Sequence, residues 1–238
     1  MNRFDIVNKE EGDEESATLL NTVRQTKSQN NVYQQMACEA LGGLFLTATI
    51  AMKADGLGIA AMLTVMVFAF GHISGAHLNP AVTLAVALRG KIGWLRAGLY
   101  LLAQVAGAFL GGLVPMLVLD DVGEKIAFPK RGDDVSVMAA LTVETVFTLA
   151  LALVVLNVAT TKAQEGNSFF GLAIGFTVLA AIKANAGISG ACFNPAVGIA
   201  LPIIGEHYDD IWIYCVGPLL GGALAGALFM LTSKGEEF

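Results

Sequence analysis

One nine-residue phrase occurs twice in this chain, with seven of its nine positions identical. Residues 74–82 read Ser-Gly-Ala-His-Leu-Asn-Pro-Ala-Val, and residues 189–197 read Ser-Gly-Ala-Cys-Phe-Asn-Pro-Ala-Val. The two Asn-Pro-Ala triplets are Asn79, Pro80, Ala81 and Asn194, Pro195, Ala196, 115 positions apart. A polar, helix-breaking phrase duplicated inside an apolar chain points to a membrane pore made from two homologous halves.

The surroundings of the phrase support that reading. Hydrophobic residues make up 55% of the chain and charged residues 14%, against about 25% charge in an average soluble domain. Residues 32–52, 57–73, 93–119, 135–159, 168–182 and 211–232 are each nearly free of charge. A membrane-crossing helix needs roughly 17–25 such residues, so six spans are expected. Two apolar pieces remain, 79–88 and 194–204, too short to cross alone. They read as re-entrant half-helices, since irregular backbone at membrane depth is tolerated only where it lines a cavity or is buried in protein.

Residues 1–31 differ. They hold the acidic run Glu10, Glu11, Asp13, Glu14 and Glu15 and lack an apolar core or cleavage pattern. They read as a solvated, disordered acidic tail rather than a signal peptide. A second short tail is expected at 234–238. The net charge of −6 owes much to such segments and says little about partners; no nucleic-acid partner is expected. Cys38, Cys192 and Cys215 cannot all pair, which argues against a disulfide framework. With an inside N-terminus, the inner loops collect Arg24, Lys27, Arg89, Lys91, Arg96, Lys162 and Lys234, and the outer ones Lys53, Lys125, Lys130 and Arg131. That bias favours both termini in the cytosol.

The channel domain is expected over 32–233, with repeats at about 32–119 and 135–233. Each half holds three spans, so its copy must insert upside down, as an inverted repeat. Proline suits the first helical turn and asparagine the cap before it. Asn79-Pro80 and Asn194-Pro195 therefore each start a helix. Inverted symmetry brings the two N-termini together near the midplane, each with roughly half a positive charge from aligned peptides. Amide donors and positive potential there would pass water and oppose cations and protons. Glu39 and Glu144 are the acids deep in the spans. They read as acceptors for backbone N–H groups in the loops before the half-helices, ahead of a proton relay.

These residues resemble the aquaporin family, also called major intrinsic proteins. The resemblance covers about residues 32–233: Gly71-His72-Ile-Ser-Gly-Ala-His77-Leu-Asn-Pro-Ala-Val-Thr, both Asn-Pro-Ala boxes in order, and a glutamate in spans one and four. It implies an all-α membrane protein, a right-handed bundle of six transmembrane helices plus two re-entrant half-helices. It also implies a homotetramer with one pore per subunit. Carried over along the family pattern, the selectivity filter falls on Ile59, Ile182, Ala191 and Val197. Most members have arginine where Val197 stands. Arginine is bulky and always charged, so its replacement leaves an apolar filter, taken here as wide. The filter pattern looks most like plant vacuolar-membrane aquaporins, apart from Ile59, where many of them have histidine. The resemblance implies passive permeation of water and of small neutral solutes such as ammonia, urea or hydrogen peroxide. An intracellular vacuole-like membrane or the plasma membrane is the implied location.

His72 and His77, in the first re-entrant loop, read as loop support rather than metal ligands, because no carboxylate or cysteine set accompanies them. Cys192, two residues before Asn194, is a candidate mercurial site, with a small buried thiol as the alternative. Lys183 is expected where span five leaves the membrane. No cofactor and no metal is expected. No metal-ligand cluster or nucleophile–base set lies at membrane depth, which argues against an enzyme. A secondary transporter shares the inverted-repeat signature, but the spans hold few ionisable groups for coupling to an ion gradient. A glycerol-type facilitator is a further alternative.

Overall fold

The computed structural model describes residues 31–119 and 126–233. By its contacts the chain divides into Met1–Val32 and Tyr33–Phe238. The expected tails lie outside the described residues, apart from Asn31. Among the described residues every regular element is helical. In chain order these are α1 (Val32–Ala51), α2 (Gly56–Ser74), α3 (Pro80–Leu88), α4 (Trp94–Gly112), α5 (Val114–Val118), α6 (Val137–Thr160), α7 (Phe170–Ser189), α8 (Pro195–Ile204) and α9 (Ile211–Thr232), with a 3-10 turn at Lys162–Gln164.

Local chemistry sets the boundaries. Asp55 and Ser136 cap α2 and α6 by accepting from Gly58 N and Ala139 N. Both α2 and α7 end at a glycine in the left-handed region, Gly75 (φ 90°) and Gly190 (φ 82°), a conformation only glycine adopts without strain. Pro80 and Pro195 open α3 and α8 behind the asparagine caps. These two helices have 9 and 10 residues, about 15 Å each at 1.5 Å per residue, half of a hydrocarbon core of about 30 Å.

Among the described residues five helical stretches are long and apolar enough to cross a membrane: Gly56–Ser74, Trp94–Val118, Val137–Thr160, Phe170–Ser189 and Ile211–Thr232. The first helix has 20 residues but carries Gln34, Gln35 and Glu39. Its glutamate is fully buried and so faces protein rather than lipid.

Two spans differ from the expectation. The third is not one rod: it is interrupted at Leu113, and the short α5 follows with Pro115 near its start. Proline has no N–H to give the preceding turn. The fifth does not end at 182 but continues to Ser189. Asn185, buried there, donates to Ala181 O at 2.9 Å, so a polar residue that lowers hydropathy does not break the helix. Lys183 is accordingly inside α7, exposed on its surface. Arg89, read as a loop cation, is instead buried at the end of α3, its guanidinium donating to Thr160 and lying 4.6 Å from the Phe229 ring centroid.

The halves pack crosswise. The first half-helix, α3, lies on α9, and the second, α8, lies on α4. Glycines permit the closest approaches. A Cβ on Gly107 of α4 would sit 2.1 Å from Ala40 O of α1, and one on Gly221 of α9 would sit 2.4 Å from Thr145 O of α6. The same contact thus occurs once in each half.

Candidate functional site

Each re-entrant loop hangs on one carboxylate. Glu39 accepts from Ser74 Oγ (2.7 Å), His77 N (2.9 Å), Leu78 N (2.7 Å) and Gln104 Nε2 (2.8 Å). Glu144 accepts from Ser189 Oγ (2.6 Å), Cys192 N (2.9 Å) and Phe193 N (2.7 Å). Both glutamates are fully buried, a costly position for a carboxylate unless hydrogen bonds replace water. The loops are strained in the same places. Ala76 and Leu78 in the first, and Ala191 and Phe193 in the second, have φ between 46° and 54°. Such residues cost about 1–3 kcal/mol each unless their surroundings hold them, and the glutamates supply that hold.

The two asparagines meet across the pseudo-symmetry axis. Asn79 Oδ1 caps α3 by accepting from Ala81 N at 2.8 Å, and Asn194 Oδ1 caps α8 by accepting from Ala196 N at 3.0 Å. Their amides cross over. Asn79 Nδ2 donates to Phe193 O at 2.8 Å, and Asn194 Nδ2 donates to Leu78 O at 2.9 Å. Each amide has two protons, so one on each side remains beyond the crosslink.

Several groups that hold this centre carry no signal in the sequence pattern. Tyr100 Oη donates to Ser74 O and Tyr214 Oη to Ser189 O, both at 2.8 Å, one strap per half. Gln104 donates to Glu39 and to Thr83 Oγ1. Thr83 Oγ1 in turn donates to Asn79 O. That commits the only hydroxyl proton, so the 3.1 Å contact between His77 Nδ1 and Thr83 Oγ1 requires His77 to donate from Nδ1. The second half has Pro218 in α9 where α4 has Gln104, so this branch of the network occurs once.

Two cavities approach this centre from opposite sides. One, of about 310 Å³, is lined by Ile59, Ile182, Ala191 and Val197 together with Cys192, Asn79 and Asn194. The other, of about 660 Å³, is lined by His72, Lys91, Arg96, Lys162 and Glu165 among others. His77, Val67, Val155 and Ile174 line both, so His77 stands where the cavities meet. The four filter-pattern positions thus share one cavity, with Cys192 beside them. His72 is exposed in the other cavity. Val197 is 2% exposed and packs with Ala51, Ile126 and Leu201. Cys192 Sγ lies 3.2 Å from Asn194 O, and all three cysteines are free thiols.

The sequence profile of the major intrinsic protein family matches residues 14–229. Among characterised relatives, the chain is 41% identical over 180 residues to aquaporin NIP1-1 of Zea mays, covering 74% of this chain and 62% of that protein. It is 37% identical over 187 residues to aquaporin NIP1-4 of Oryza sativa subsp. japonica, covering 76% and 67%. It is 33% identical over 195 residues to aquaporin TIP4-4 of Zea mays, covering 82% and 77%. The match to the first of these therefore spans under two thirds of that relative's length. In three dimensions the chain resembles the aquaglyceroporin from Plasmodium falciparum, with a TM-score of 0.73 at 22% identity, covering 84% of this chain and 96% of that one.

Proposed function

The chain belongs to the major intrinsic protein family of aquaporin channels, and on that premise we propose that it is a passive water channel that also passes small neutral solutes. It is a multi-pass membrane protein and not an enzyme. The observation that carries the proposal is the crosslinked asparagine pair, with a cavity on either side. The side-chain oxygens cap the two half-helices, and half of the amide protons hold the carbonyls of the opposite loops. The remaining amide protons give water two donors where the half-helices meet. The N-termini of α3 and α8 converge there and set a positive potential, which opposes cations and protons.

Selectivity falls on Ile59, Ile182, Ala191 and Val197. All four are apolar and line one cavity, so polar contacts for a permeant come from backbone carbonyls and from the asparagines. Such a wall accepts ammonia, urea or hydrogen peroxide on size rather than charge. Glu39, Glu144 and His77 support the loops, and Cys192 is the site for a mercurial block. The assembly is a homotetramer in a lipid bilayer with both termini cytosolic, which places the 660 Å³ cavity and its Lys91, Arg96 and Lys162 on the cytosolic side.

Stopped-flow light scattering on proteoliposomes tests this reading, with sucrose, urea and glycerol gradients. Wild type passes water rapidly and urea measurably. Val197→Arg keeps water flux and loses urea flux, because the filter gains bulk and charge. No water flux from folded wild type would overturn the channel reading. Unchanged urea flux in Val197→Arg would overturn the filter reading alone.

A further inference from the structure

The two cavities are unequal, about 310 Å³ against 660 Å³, although the elements around them repeat. The smaller one is closed partly by residues outside the duplicated phrases. Ala127, Phe128 and Pro129, from the connection between the halves, line it together with all four filter-pattern positions. Phe128 also packs against the cluster that contains Val197, as Cys192 does.

Its ring is firmly seated. A Cβ on Gly205 would come within 2.8 Å of Phe128 Cδ1, so glycine there leaves the space that the ring fills. The His207 ring lies against it at 4.3 Å between centroids and 39° between planes. The backbone is tied on both sides, by Ala127 N donating to Ala51 O at 3.2 Å and Gly132 N donating to Ile188 O at 3.0 Å. The buried Pro129 follows directly, and a Cβ on Gly190 of the second re-entrant loop would meet Lys130 N at 2.5 Å. Val197 and the Phe128 ring line one cavity and join one apolar cluster, so a short side chain and a large ring make one composite wall.

We propose that Phe128 is a further specificity-determining residue, which sets the upper size limit of the filter, and that His207 is the residue that positions it. The inference rests on the apolar-filter reading above and sharpens it: the filter lacks bulk at Val197, and Phe128 restores part of that bulk from outside the repeats. Urea then fits, and the longer glycerol is held back.

The test is the ratio of glycerol to urea permeability in proteoliposomes, with water permeability measured on the same vesicles. Phe128→Ala raises that ratio about tenfold, the scale on which an apolar pocket discriminates by size, while water flux persists. Phe128→Leu keeps most of the packing volume and covers the case in which the alanine variant fails to fold; it gives an intermediate rise. His207→Ala raises the ratio in part, and His207→Phe, which keeps a ring against Phe128, restores the wild-type value. An unchanged ratio in Phe128→Ala and Phe128→Leu overturns the proposal, and if Val197→Arg still abolishes urea flux, the filter reading survives without it. A raised ratio in Phe128→Ala beside unaltered urea flux in Val197→Arg leaves Phe128 as the size limit and removes Val197 from that role. A His207→Phe variant that behaves like His207→Ala overturns the positioning role.

Discussion

Glu144 has three donors and Glu39 four: in each half two backbone N–H groups of the re-entrant loop and the serine that ends the preceding helix, and for Glu39 also Gln104 of α4. Glu144→Ala would strand Ser189 Oγ and the N–H groups of Cys192 and Phe193. A buried donor left without its acceptor costs about 1–3 kcal/mol, so the variant is expected to lose at least about 3 kcal/mol and its water flux with it. Glu144→Gln keeps one acceptor oxygen and is expected to lose less. Thermal unfolding of the detergent-solubilised protein checks the order wild type, glutamine, alanine; equal stability of all three would mean that the strained loop is held by other contacts. Glu39, Glu144, Asn79 and Asn194 were visible in the sequence because a polar side chain inside an apolar run breaks its pattern. Tyr100 and Tyr214 break no pattern: a tyrosine in a span reads as an interfacial residue, and only the fold brings each hydroxyl to a serine carbonyl. Phe128 sits in an irregular connection, where no periodicity marks which side chain turns inward.

The elements were legible to the degree that single physical rules govern them. Apolar length marks the spans, and Asn-Pro marks the starts of α3 and α8. The interruption at Leu113 and the extension of α7 past Ile182 were not legible from hydropathy, because they depend on one proline and on one asparagine bonding back into its own helix. Packing between elements is a third level, and here the glycines separate into kinds that composition cannot tell apart. Gly107 faces the backbone of α1, whereas among the described residues nothing beyond its own stretch of helix lies within 4 Å of a Cβ on Gly98, in the same helix. Gly107→Val therefore has to push α1 and α4 apart, an overpacking cost of about 3 kcal/mol, while Gly98→Val should fold as wild type does. Comparing melting temperatures and the yield of folded protein for the two variants decides the point; equal behaviour would mean that the close approach of α1 and α4 is not needed for stability.

At the scale of the whole molecule, inverted duplication turns two ordinary helix caps into one central device. Each asparagine holds its own half-helix and also a carbonyl of the opposite loop, so neither half completes the centre alone. Asn194→Asp isolates the electrostatic part of that device. One carboxylate oxygen can still accept from Ala196 N, but the donor to Leu78 O is lost and a negative charge faces the lumen. Two converging helix N-termini stabilise that charge in its ionised form, so the barrier to cations is replaced by a site that attracts them. Water flux in proteoliposomes should persist, and a cation conductance absent from wild type should appear in planar bilayers. If folded Asn194→Asp passes water and no current, the ion barrier is not at the asparagines, and the filter of Ile59, Ile182 and Val197 must supply it, its apolar side chains leaving too few polar groups to replace a cation's hydration shell.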